Sequence, residues 1–143
     1  MFNSRGWRGW VWPLILASLI VVASSRSEVA APDVEGIDKV GHFLVFGLLA
    51  TLVVRNGFLP GYAWLAVTLV SVFGMTDEWH QSFTPGRSVE FADWVADTFG
   101  AMLAVALYAR WGWYRGRLEG SLGRKRPKPQ VEISPESVPN PPI

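Results

Sequence analysis

The chain has 143 residues, enough for one domain. Half of them are hydrophobic and 17% are charged, where an ordinary soluble domain carries about 25% charged residues. There is no cysteine, which excludes disulfides, thiolate catalysis and cysteine metal sites, and a net charge of +1 gives no electrostatic reason to expect a nucleic-acid partner. The eight tryptophans nearly all flank uncharged runs, as interfacial anchors of a membrane protein do.

Taken in chain order, four uncharged runs predict transmembrane helices. The first covers roughly residues 10–25, behind Arg5 and Arg8. It reads as an uncleaved anchor. The alternative is a signal peptide, with small residues at Val22-Ala23-Ser24-Ser25 near a cleavage point. An acidic loop follows, with Glu28, Asp33, Glu35 and Asp38. The second span covers 39–57 and is interrupted by His42. The third covers 58–78, after a turn marked by Pro60-Gly61. A second polar loop, Asp77 to Glu90, leads to the fourth span at 91–113. These spans make residues 1–114 one all-α, polytopic membrane domain, a bundle of about four transmembrane helices. Residues 115–143 hold six basic residues and six of the ten prolines, and are expected to be a disordered cytoplasmic tail.

With the N-terminus inside and four spans, ten Lys and Arg residues fall on the cytoplasmic side. Only Arg26, Lys39 and Arg87 fall outside. The positive-inside rule therefore predicts cytoplasmic N- and C-termini in an inner membrane. Nine of the twelve acids gather at the outer side.

That acidic side carries the chemistry. Asp38 and His42, Asp77 and Gln81, and Asp93 and Asp97 are each four residues apart, so each pair shares one helix face. At about 1.5 Å of rise per residue, His42 lies ~18 Å and Asp97 ~21 Å above the inner helix ends. Asp38, Asp77 and Asp93 lie at ~24–29 Å. The expected result is a pocket with His42 and Asp97 at its floor and carboxylates above. Asp97 is deepest and needs a partner, either His42 or Arg87. Arg87 is read either as a ligand-binding group or as the ion-pair partner of Asp93. Small residues Ala92, Ala96, Gly100 and Ala104 mark a face of the fourth helix suited to close packing. His42, Asp77, Glu78, His80, Asp93 and Asp97 are donor types that suit a divalent metal. Their spacing matches no defined metal motif, so no metal or cofactor is assigned.

Three blocks carry a family resemblance: Asp38-Lys39-x-x-His42-Phe43-x-x-Phe46, then Asp77-Glu78-x-x-Gln81-x-Phe83-x-Pro85-Gly86-Arg87, then Asp93-x-x-x-Asp97-x-x-Gly100. In this order, over roughly residues 10–112, they resemble the VanZ-like family, named for a membrane protein linked to teicoplanin resistance. Where that family often shows Asn, this chain has Asp97. The resemblance implies a polytopic cell-envelope protein, with antibiotic resistance as one association of the family.

The functional expectation is recognition, extending to processing, of an anionic envelope lipid or lipid-linked glycan at the outer face. Lys39 and Arg87 would hold phosphate, with Asp38, Gln81 and Asp93 completing the ligand-binding set. His42, Asp77, Glu78 and Asp97 would handle protons. The alternative is a non-catalytic membrane accessory protein that binds a partner protein or an antibiotic-like ligand. Membrane lipids are partners in either case.

Overall fold

The computed structural model describes residues 7–26, 36–56, 58, 60–85, 87 and 89–120. Arg5, the loop acids Glu28, Asp33 and Glu35, Gly86, and the tail from residue 121 lie outside the described residues. Among the described residues all regular structure is helical: α1 (Val11–Ser24), α2 (Ile37–Val54), α3 (Trp64–Gln81), α4 (Phe91–Arg110) and α5 (Gly112–Gly120). A single 3-10 turn, Trp7–Trp10, leads into α1.

The side-chain pairings set the helix directions. Lys39 meets Asp93 and His42 meets Asp97, while Gly47 faces Gly100 and Ala104. Residue numbers rise together along both helices, so α2 and α4 are parallel. Gly74 faces Asp97 and Ser71 bonds Thr98, so α3 runs antiparallel to α4. Ser24 bonds Asp77, which brings the last turns of α1 and α3 to the same end. The bundle is therefore up-down-up-down, and one end collects residues 24–26, 36–42, 77–85, 87 and 89–97.

Among the described residues three helices are long and apolar enough to cross a membrane: Trp7–Ser24, Ile37–Val54 and Phe91–Arg110. The third helix has the same 18-residue length as α2 but ends in Asp77-Glu78-Trp79-His80-Gln81, which lowers its overall hydropathy. It runs beside α4 from Ser71 to Glu78 and buries Ala66 and Val70 in the core. The expected third span is shifted. Pro60–Tyr62 is a 3-10 turn and the helix starts at Trp64, because Pro60 supplies no N–H and Gly61 favours a turn. The shift places Asp77, Glu78 and Gln81 inside the last helical turns. The fourth span stops at Arg110, and Trp111 leaves the helical backbone region before α5 begins. The expected tail boundary at Arg115 also moves. Helix persists to Gly120, and Arg55 Nη2 donates to the Leu118 carbonyl at 2.6 Å, tying α5 to the foot of α2.

The outer surface is apolar. Leu14, Leu19, Leu44, Leu48, Leu69, Val72 and Leu103 are all exposed, and so are all the described tryptophans except Trp94. So much continuous apolar surface is untenable in water and natural in lipid. Thr51 and Thr68 return their hydroxyls to the carbonyl four residues back, so these groups are not left bare in an apolar layer. The chain is thus a polytopic, all-helical membrane bundle.

The tightest seam joins α2 and α4. A Cβ on Gly100 would run into the Phe43 carbonyl, and one on Gly47 would stand 3.1 Å from the Gly100 carbonyl. Of the small-residue face expected on α4, Gly100 and Ala104 form this contact, joined by fully buried Ala101, while Ala92 is exposed. Close backbone approach at small residues is how helices associate where no water drives them together. Here it fixes the distance between the helices that carry His42 and Asp97.

Candidate functional site: a polar cavity at one end of the bundle

The floor of the site is the pair expected from depth. His42 Nδ1 and Asp97 Oδ1 are hydrogen-bonded at 2.9 Å. Asp97 is 0% exposed and lies between α2 and α3, with Oδ2 only 2.8 Å from where a Gly74 Cβ would sit. Only glycine at 74 leaves room for that carboxylate. Asp97 Oδ2 has no hydrogen-bond partner among the described residues. The His42 ring stacks on Phe46, and its Nε2 lies 3.8 Å from Asp93 Oδ2.

Above the floor are two clusters. On the α2–α4 side, Lys39 Nζ is held by Asp38 at 2.9 Å, Glu90 at 2.8 Å and Asp93 at 3.0 Å. On the α1–α3 side, Ser24 Oγ donates to Asp77 Oδ2 at 2.7 Å, and Gln81 Nε2 donates to the same oxygen at 3.2 Å. Asp77 Oδ1 has no hydrogen-bond partner among the described residues. Glu78 lies between the two clusters and is 4% exposed. It accepts the Glu90 backbone N–H at 3.1 Å and a long bond of 3.4 Å from Gln81. Arg87 reaches in from the loop, giving Nη1 to Gln81 Oε1 at 3.3 Å and Nε to the Arg26 carbonyl at 3.4 Å.

Every residue expected in the site is therefore at this end, in one connected region. One pairing differs from the sequence expectation. Asp93 is paired by Lys39, not by Arg87, because Lys39 sits on the helix parallel to α4, close to one turn above His42. Lys39 is also committed to three carboxylates, whereas Arg87 lines the cavity directly. Ser24 and Glu90 were absent from the expected set. Ser24 was legible only as a small residue near a helix end. Glu90 gave the weak signal of an acid three residues before Asp93.

A cavity of about 330 Å³ opens among α1, α2 and α3. Its lining includes the polar residues Asp38, His42, Asp77, Gln81 and Arg87 and the apolar residues Ile20, Ala23, Val45 and Phe46. Such a mixed lining suits a molecule with a polar head and an apolar stem.

No curated protein and no solved structure matches the chain. A family model does: that of VanZ/LLP1 matches residues 4–112, which takes in the whole of α1–α4 and every residue of the cavity. With most of its length matched and the three polar blocks assembled at one end of the bundle, this chain belongs to the VanZ/LLP1 family.

Proposed function

We propose that the cavity recognises the polar head of an anionic envelope lipid or lipid-linked glycan from the outer face of the cytoplasmic membrane. In this reading α1–α4 all span the bilayer, and both termini are cytoplasmic. One observation carries it: the cavity is lined by an arginine and several hydrogen-bonding groups together with apolar side chains of α1 and α2. Arg87 has given Nε and Nη1 to protein oxygens and offers its remaining guanidinium nitrogen to a phosphate. Asp77 and Gln81 suit the hydroxyls of a glycerol or sugar. His42, oriented by Asp97, and Asp77, with one bare oxygen, supply the proton chemistry if the ligand is also processed.

Native mass spectrometry of the full-length protein, extracted in mild detergent, tests this. The expected result is a retained phospholipid or lipid-linked glycan. Arg87→Ala should lose it and Arg87→Lys should retain part of it, both at unchanged melting temperature. Asp77→Asn then separates two functions: an enzyme keeps its lipid and loses turnover, whereas a binding protein loses the lipid. Equal lipid retention in wild type and Arg87→Ala would refute headgroup recognition by this cavity.

A further inference from the structure

Two triads of possible metal ligands share Asp93, and they differ in one respect. Asp38, Glu90 and Asp93 surround the Lys39 ammonium, which supplies their cation. His42, Glu78 and Asp93 have their donor atoms within 4.8 Å of one another, and among the described residues no lysine or arginine pairs with Glu78.

The second triad has an electrostatic deficit. His42 Nδ1 is bonded to Asp97, while Nε2 faces the Asp93 carboxylate at 3.8 Å, beyond hydrogen-bond distance; in the neutral, Nδ1-protonated tautomer the Nε2 lone pair meets an acceptor there. Glu78 and Asp93 are both buried, at 4% and 8% exposure. Asp97, fully buried, adds a third carboxylate behind the ring. A buried group of this kind calls for a cation among its oxygens.

We propose that His42 Nε2, Glu78 and Asp93 bind one divalent first-row cation, zinc or manganese in type, at the meeting point of α2, α3 and α4. One imidazole and two carboxylates are a donor set suited to those ions. Ligands lie about 2.1 Å from such an ion, so tetrahedral donors stand ~3.4 Å apart, and the triad, now within 4.8 Å, closes on the ion by a contraction of up to ~1.4 Å. Asp97 completes the arrangement. A metal-bound histidine usually gives its other N–H to a carboxylate, which fixes the tautomer and raises the basicity of the ligating nitrogen. The 2.9 Å bond from Nδ1 to Asp97 is that contact. The three protein ligands leave coordination positions open for water or for an oxygen of a bound molecule. With the metal in place His42 is a ligand, and proton handling in the cavity falls to Asp77. The site rests on the triad alone and is independent of what fills the cavity.

The test uses full-length protein in detergent, stripped with EDTA and delipidated, then titrated with zinc, manganese or magnesium chloride alone. The expected result is one saturable equivalent of zinc or manganese, a rise in melting temperature on binding, and weak binding of magnesium. The spin-echo spectrum of the manganese form should show a coordinated imidazole nitrogen. Glu78→Gln and His42→Gln should abolish the saturable site. Asp97→Asn should weaken it by about 10–100-fold. His80→Gln, which removes the imidazole outside the triad, should leave affinity unchanged. The wild-type titration and spectrum stand even where a variant fails to fold. Absence of saturable binding by wild type, absence of the imidazole signal, or equal weakening by His80→Gln and Glu78→Gln would each overturn the proposal.

Discussion

Substituting alanine at two glycines should move stability in opposite directions, and the contrast tests the α2–α4 seam. Gly41 sits in α2 with nothing within 4 Å of an added Cβ. Gly41→Ala therefore carries only the helix-propensity gain, about 0.5–1 kcal/mol. Gly100 has the same intrinsic gain, but its Cβ would meet the Phe43 carbonyl, which belongs to a helix backbone and cannot swing aside. Overpacking a core costs about 1–3 kcal/mol, and an unyielding backbone puts this site at the upper end. The net loss at Gly100 is about 2 kcal/mol, and the two variants should differ by about 3 kcal/mol. Reversible unfolding of detergent-solubilised protein in SDS, followed by tryptophan fluorescence, measures both. The effect should reach the site as well. Phe43 adjoins His42 and Gly100 lies about one turn from Asp97, so parting the helices lengthens the 2.9 Å His42–Asp97 bond. Equal stability of Gly41→Ala and Gly100→Ala would show that the helices do not approach closely there.

Trp94→Phe removes the indole N–H that donates to the Ser71 carbonyl at 3.1 Å and should cost about 0.5–1.5 kcal/mol in the same unfolding assay; no loss would mean that α3 and α4 are not locked by this bond. With no native cysteine, single cysteines at Ser82 and Ser137 should react with an impermeant thiol reagent from outside only and from inside only, respectively; the reversed pattern would refute the proposed orientation. Deleting residues 121–143 should leave membrane insertion and melting temperature unchanged, because Arg55 anchors α5 through Leu118, ahead of the cut; a truncated protein that fails to accumulate would make those residues part of the folding unit.

Much of the molecule follows from sequence-local quantities. Uncharged run length and the lysine and arginine count predict the spans and the acidic end, since the cost of a charge in lipid applies residue by residue. Helix rise alone put His42 and Asp97 at one depth, and the structure joins them at 2.9 Å. Tertiary structure decided which charge answers which. Lys39, expected to bind phosphate, is held by Asp38, Glu90 and Asp93, because the parallel run of α2 and α4 brings its ammonium among them. Arg87 meets Gln81 and the Arg26 carbonyl, because the loop after α3 turns toward the end of α1. Ser24 joins Asp77 across 53 residues of sequence. Rise and hydropathy are local and can be read along the chain. The rotation of one helix about its axis against another depends on packing at distant residues such as Gly47, Gly74 and Gly100, and that rotation selects the partner of each buried carboxylate.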